Sequence, residues 1–502
     1  MRASSARYDG AMKLDPDTCY RAVASHDRRF DGRFFVGVSS TGVYCRPVCA
    51  VRTPKRENCS FYETAAAAEK QGFRPCLRCR PELAPGHGLA DISGRLAQAA
   101  ATLIDEGFMA DGSVAQLAAR IGVTERHLRR LFDAAFGVSV LEYAQTQRLL
   151  LAKRLLTDTA LPVTDVALAA GFGSVRRFND VLKTRYGLTP LAMRKRAADG
   201  MADRLVFELG YRPPLAWDVL LGFLGTRAVD GIEHLHGGTY LRTMAVESGE
   251  DLHVGWVRLE HVPRRLVVRV TLSASLARVI PQALGKVRRL CDLGCRPDIV
   301  DRHLGDLAGS LPGVRLPGTF DGFEIAVRAI VGQLISVVHA RRILARLTEH
   351  AGVALPAESA IAPLTHAFPG AAALAALSDD AYRAAGVPPG KMRALRALAA
   401  AVSMRALRLD PQSPPEETVA ALRALPGIGD WTAQYIAMRA LGWPDAFPGT
   451  DYALRKVLGV ATVRAMHART AHWAPWRAYA AIHLWHRYEQ RQTYGDLNQE
   501  QA

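Results

Sequence analysis

Two close pairs of cysteines carry the densest chemistry in the sequence: Cys45 and Cys49 in GVYCRPVCA, and Cys76 and Cys79 in FRPCLRC. Roughly two dozen residues lie between the pairs. Two short cysteine spacings on two turns can converge on one tetrahedral Zn²⁺. Four thiolates on a divalent cation leave a net charge of about −2, which keeps each sulfur deprotonated and electron-rich. Such a site admits two roles. It staples a module too small for its own core, or it offers a sulfur that attacks a methyl carbon in line. Arg46, Arg52, Lys55, Arg56, Arg74, Arg78 and Arg80 surround the cysteines and suit a polyanion.

A second chemical signal lies in the C-terminal half. LPGIGD (425–430) has Gly427 and Gly429 placed for a tight turn between two helices, with amides turned outward. A helix-hairpin-helix of this kind grips a DNA phosphate without reading sequence. About twenty residues later FPGTDYALRKVLG (447–459) puts Asp451 after a Pro-Gly loop and at the start of a helix. An aspartate there is an ordinary N-cap.

The intervening elements must position these groups. PELAPGHG (81–88) and RKRAADGMADR (194–204) read as breaks. Residues 89–197 are helical in pattern and contain a repeat: VAQLAARIGV (114–123) aligns with VTDVALAAGF (163–172), matching Ala118 and Gly122 to Ala167 and Gly171. Each copy gives a helix, a glycine turn and a basic helix, the order of a helix-turn-helix. The second helices start near Thr124 and Ser174 and carry Arg126, His127, Arg129 and Arg130, and Arg176 and Arg177. LVVRVTLSASL (266–276) alternates like a strand, and from about 278 the pattern is helical to the end.

The chain is 49% hydrophobic and 22% charged, as in soluble globular proteins. No apolar run is long enough to span a membrane, and MRASSARYDGAMKLD has no secretory apolar core, so reduced cysteines and a cytoplasmic protein are expected. The net charge is +16, of which residues 1–200 supply +10 and the remainder +6. That balance favours a nucleic-acid partner.

Residues 41–82 resemble the N-terminal module of the Ada DNA-repair family, through CRPVC, ENCSFY and GFRPCLRCRPE. The resemblance implies Zn²⁺ held by Cys45, Cys49, Cys76 and Cys79, with Cys45 accepting a methyl group from a DNA methylphosphotriester. Loss of one negative charge would then tighten DNA binding. The PCHR motif of an O6-alkylguanine methyltransferase is absent, and that activity is not expected. The paired helix-turn-helix resembles the AraC-type DNA-binding domain, which implies promoter DNA and RNA polymerase as partners.

Residues 205–490 resemble the AlkA-like 3-methyladenine DNA glycosylases, through RPPLAWDVLLGFLGTRAVDGIE, GVRLPGTFDGFEIAVRAIVGQLISV, GDWTAQYIAMRALGW and WAPWRAYAAIHLWH. The likeness implies a catalytic Asp451 and a base pocket of Trp431, Tyr435, Tyr452 and Trp485. It also implies a DNA contact at Gln333 and a wedge at Leu334 that fills the gap left by a flipped base, although an apolar residue there can equally serve a core. Trp431 stands where lyase members of the superfamily carry lysine, and no cysteine cluster follows the hairpin, so a monofunctional glycosylase without an iron–sulfur centre is expected. Asp430 stands where basic residues are common. Cys291 and Cys295 are expected as buried thiols; Cys19 and Cys59 have no assigned role.

The expected fold is multidomain and α-rich α+β. It comprises a zinc α/β module (1–88), an all-α double helix-turn-helix (89–197), a β-rich subdomain (204–277) and a helix-hairpin-helix glycosylase domain (278–495), acting as a monomer. The rival reading is an AraC-like transcription factor whose C-terminal half binds DNA without catalysis.

Overall fold

A computed structural model describes residues 15–86, 95–110, 112–194 and 204–499. The N-terminal stretch read for a secretory segment lies almost wholly outside the described residues. So do residues 87–88 of the first expected break and 195–203 of the second. The chain divides into two compact units. One holds Met1–Pro213, Val262–Gly285 and Leu293–Arg296; the other holds Pro214–His261, Lys286–Asp292 and Pro297–Ala502.

The first unit opens with a four-stranded sheet in the order Cys59–Tyr62, Phe35–Val38, Val43–Cys45, Arg74–Pro75. Phe34, Val36 and Val38 form its apolar core together with Cys19 and Cys59. Gly37 is required in the central strand, because a Cβ there would meet the Tyr62 and Phe73 rings at 2.8 and 2.9 Å. Several of the helices that follow start on side-chain caps. Ser113 and Gln116 form a capping box, Thr124 accepts from the His127 amide, Ser139 and Glu142 form a second box, and Ser174 accepts from the Arg177 amide. Leu128, Phe132 and Phe136 are buried at helical spacing, as are Phe178, Leu182 and Tyr186. Each such side chain stabilises the bundle by roughly 1.5–3 kcal/mol. Ala118 and Ala167 are buried, and Gly122 (φ +77) and Gly171 (φ +76) make the left-handed turns that the repeat predicts.

Polar ties cross the break at 81–88. Glu69, buried on the Ala65–Lys70 helix, accepts from Tyr44 (3.1 Å), from Thr146 on the Val140–Asp158 helix (3.1 Å) and from Tyr186 at the end of the second basic helix (2.9 Å). Burial pushes its carboxyl up to about 7, against the pull of those three hydroxyls. Lys153 donates to Glu82 at 2.5 Å, and Arg80 pairs with both Glu82 and Asp158. This unit also contains the antiparallel pair Arg204–Gly210 and Val267–Ser273. The strand-like pattern of 266–276 is thus shorter in space: Leu266 is left-handed (φ +53), and 274–279 wind into a 3-10 helix.

In the second unit, Thr239–Ser248 pairs antiparallel with both Glu233–His236 and Asp251–Val262. The helix Gly322–Val331 is buried along most of its length. Its Glu324 and Arg328 join Arg242 and Glu233 in a buried ion cluster, with contacts of 2.6–2.8 Å. The helical reading beyond 278 misses one short strand pair, Val353–Ala354 with His366–Ala367.

Candidate functional site

The zinc-module sheet brings the two cysteine pairs together. Val43–Cys45 runs parallel to Arg74–Pro75, and the Cys76 amide donates to Tyr44 O at 3.0 Å, so Cys45 and Cys76 leave neighbouring strands side by side. The Sγ atoms of Cys45, Cys49, Cys76 and Cys79 all lie within 4.8 Å of one another. Tetrahedral zinc at about 2.3 Å from each sulfur needs a separation of about 3.8 Å, which this cage meets with slight contraction. Backbone amides bond to two of the sulfurs: Arg46 N to Cys79 and Arg78 N to Cys76, each 3.4 Å. Among the described residues, Cys45 and Cys49 receive none. An N–H···S bond draws electron density from a thiolate, which leaves the Cys45 and Cys49 sulfurs without that drain. Cys79 is half-buried and the other three are buried.

The cationic collar is thinner than the sequence suggests. Arg46 is half-buried in a bidentate pair with Asp31, and Arg80 is spent on Glu82 and Asp158. Arg56 lies over the Tyr20 and Phe61 rings. Arg52, Lys55 and Arg78 are exposed and Arg74 is half-buried. Burial raises the Cys19 thiol to about 11 and also raises Cys59, which makes both poor nucleophiles. Cys291 and Cys295 are buried, as expected.

Arg126, Arg129 and Arg130 lie on the exposed face of the Glu125–Phe136 helix, and Arg176 and Arg177 on that of Val175–Tyr186. The first helix spends part of its charge internally: Arg129 pairs with Glu125, and Arg130 meets His127 Nδ1 at 3.1 Å. In the second unit, the hairpin joins Pro415–Arg423 to Asp430–Ala440. Gly427 is left-handed (φ +77), and Gly429 is the N-cap with open space where a Cβ would stand. Neither glycine amide donates to a described residue, which leaves a helix N-terminus free to bind an anion. Asp430 pairs with Arg423 at 3.6 Å.

Asp451 is at once the N-cap of Tyr452–Leu458 and the focus of an aromatic cluster. Its Oδ1 accepts from Leu454 N (2.9 Å) and Trp485 Nε1 (3.1 Å), and its Oδ2 accepts from Trp431 Nε1 (2.8 Å). Trp431 stacks on Tyr435 at 5.1 Å and 7°, and Tyr435 meets Trp485 at 6.1 Å. Capping and presentation of the carboxylate are therefore one arrangement rather than rival ones.

Three family models match the chain: the metal binding domain of Ada over residues 18–82, a helix-turn-helix domain over 117–196 and the AlkA N-terminal domain over 206–321. A relative in Mycobacterium tuberculosis, described as a probable bifunctional transcriptional activator/DNA repair enzyme AlkA, is 40% identical over 94% of this chain and 97% of its own length. The chain belongs to this Ada–AlkA family. DNA-3-methyladenine glycosylase 2 of Escherichia coli is 37% identical over 56% of this chain and 97% of its own length. Bifunctional transcriptional activator/DNA repair enzyme Ada of the same organism is 34% identical over 38% of this chain and 54% of its own length. The four-cysteine cage of this Ada–AlkA protein is a Zn²⁺ site.

The structure separates one expected pocket residue from the rest. Tyr452 is 62% exposed and meets Tyr488 edge-on, with Lys456 over its ring; it makes no ring contact with Trp431, Tyr435 or Trp485. Gln333 faces inward, with Nε2 donating to Gly427 O (3.0 Å) and Thr432 Oγ1 (2.9 Å). Leu334 is completely exposed. Sequence reasoning missed Arg439, which donates to Tyr435 Oη (2.8 Å), Pro317 O and Gly318 O from a buried position under Phe223. The signal was present: Trp431, Tyr435 and Arg439 recur every four residues on one helix face. Lys391, which holds the Leu334 turn, had no such signal.

Proposed function

We propose that this Ada–AlkA protein repairs alkylated DNA by two chemistries and reports the damage to transcription. The observation that carries the excision half is the Asp451 carboxylate, held by two indole N–H groups and one amide beside the Trp431–Tyr435 stack.

Its substrates are alkylated purines of the 3-methyladenine type. Such a base is often cationic, and the faces of Trp431, Tyr435 and Trp485 attract a cation; Tyr452 and Leu334 meet the DNA outside that stack. As the N-glycosidic bond breaks, its electron pair leaves with the base, and the sugar becomes an oxocarbenium ion that the Asp451 charge stabilises. Water then adds to the anomeric carbon and loses its proton to Asp451 or to solvent. Trp431 occupies the lyase lysine position and has no amine for a Schiff base, so the product is an intact abasic strand. The Gly427 and Gly429 amides hold a phosphate.

In the N-terminal module, bound zinc keeps the four sulfurs as thiolates. Cys45, one of the two sulfurs without an amide donor, attacks the methyl carbon of a DNA methylphosphotriester. The carbon–oxygen bond breaks toward the phosphate, which leaves as an ordinary anionic diester, and Cys45 becomes a neutral thioether. One negative charge is lost from the protein face nearest DNA, with Arg74 beside it. Promoter binding through Arg126, Arg129, Arg130, Arg176 and Arg177 then tightens, and RNA polymerase is engaged by a monomer in the cytoplasm. The four-part division at 1–88, 89–197, 204–277 and 278–495 belongs to this reading. It is supported by family matches that begin at residues 18, 117 and 206. Single-turnover release of bases from methylated duplex DNA, with trapping by borohydride, tests the excision half; free base with no covalent adduct is the expected result.

A further inference from the structure

Leu334 projects from the turn between the helices Gly322–Val331 and Val337–Ala351, with its side chain wholly exposed and its backbone left-handed (φ +55). That conformation is disfavoured for a residue with a Cβ, and an exposed leucine gains nothing from burial. Other groups must hold it. Lys391, on the first turn of the helix Pro389–Ser403, donates from Nζ to Val331 O and Gln333 O, both at 2.7 Å. Val331 ends its helix, where carbonyls lack intrahelical partners and a cation complements the dipole. No carboxylate among the described residues pairs with Lys391; its ammonium is committed to the turn. On the other side, Gln333 bonds to Gly427 O and Thr432 Oγ1 in the hairpin segment. The turn is therefore fastened at its back to one helix and at its front to the DNA-gripping hairpin.

We propose that Lys391 is the positioning residue for Leu334. It holds the turn in the one conformation that carries Leu334 into the space vacated by an extruded base, while Gln333 sets that turn at a fixed distance from the bound phosphate. This rests on reading Leu334 as the wedge. Lys391 touches neither base nor sugar. Its contribution is preorganisation: with the turn fastened in advance, no ordering cost falls on base extrusion. Once a base is out of the stack, Asp451 acts on it regardless of Lys391.

The test uses the full chain and two duplexes carrying the same alkylated base, one in a normal pair and one opposite an abasic site, where extrusion is easy. Lys391→Met should slow single-turnover excision from the paired duplex roughly tenfold, the equivalent of ordering a short segment. It should leave the second duplex within about twofold of wild type. Lys391→Arg, which can still donate to both carbonyls, should recover most of the loss. Lys391→Met combined with Leu334→Ala should be no slower than Leu334→Ala alone, because both act through one element. Equal losses on the two duplexes, or additive losses in the double variant, would overturn the proposal. If Leu334→Ala is slow but Lys391→Met is not, Lys391 is wrong and the wedge stands. If Leu334→Ala is normal on the paired duplex, the wedge reading falls and takes this proposal with it. Should Lys391→Met fail to fold, Gln333→Ala must show the same selective loss on the paired duplex, and its absence counts against the proposal equally.

Discussion

Replacing Asp451 with asparagine removes one charge and, less obviously, one hydrogen bond. Oδ1 already serves Leu454 N and Trp485 Nε1, so the amide oxygen must take that place. The amide nitrogen then faces Trp431 Nε1 across 2.8 Å, donor against donor. Leaving such a group unmatched costs about 1–3 kcal/mol. The catalytic loss is separate. A carboxylate roughly 4 Å from a developing sugar cation is worth about 4 kcal/mol at an effective dielectric near 20, or about a thousandfold in rate. A role in helix capping alone predicts at most about 1 kcal/mol of stability and near-normal excision. The assay is single-turnover base release from methylated duplex DNA, run beside thermal unfolding and a DNA-binding titration. Asp451→Asn should bind DNA, melt lower and excise about a thousandfold more slowly. Combining it with Trp431→Phe removes the clashing donor. Measured against Trp431→Phe alone, the pair should regain stability while excision stays low. Normal excision by Asp451→Asn, or recovery of excision in the double variant, would refute the assignment of Asp451's charge to the reaction.

Three further outcomes are expected. Cys76→Ala should lose zinc and unfold the N-terminal module, since structural zinc contributes on the order of 10 kcal/mol; metal analysis showing full zinc stoichiometry would contradict the four-thiolate cage. Glu69 gives a pH signature: its carboxyl is raised to about 7 in the folded unit against an ordinary 4.5, so its contribution is complete below about 4.5 and is lost as pH rises through 7. The loss is roughly 3 kcal/mol, and Glu69→Gln should lack it; comparing the two proteins at each pH by denaturant unfolding cancels the metal's own titration, and parallel pH curves would contradict the reading. Excision should leave a strand that breaks only after alkali, and a borohydride-trapped protein–DNA adduct would contradict the monofunctional chemistry.

Much of this arrangement was legible because it is written in local codes. Thr124, Ser174 and Asp451 announce helix starts by their own side chains. The cysteine spacings announce a cage, and Gly427 announces a turn that only a residue without a Cβ makes easily. What escaped depends on distant partners. In the sequence Gln333 reads as a DNA contact, yet its amide reaches the hairpin segment ninety-odd residues away. Arg46 reads as part of a basic collar, yet Asp31 claims it. Glu69 lies in an alanine-rich helix with nothing local to mark it. Its three hydroxyl partners come from three different elements, and they bind the zinc module to the helices that follow. Lys391 is one of many cations in the sequence, distinguished only by the two carbonyls it meets.

Under the proposed function, one chain both accepts methyl groups on a cysteine and releases alkylated bases. Incubating the full-length protein with methylated duplex DNA, then measuring methylated peptides by mass spectrometry and free bases from the same tube, tests it most directly. The expected result is one irreversible methyl group, confined to Cys45, together with release of 3-methyladenine from an otherwise intact strand. Methyl groups on Cys49, Cys76 or Cys79 with none on Cys45, or a DNA-bound protein that releases no base, would contradict it.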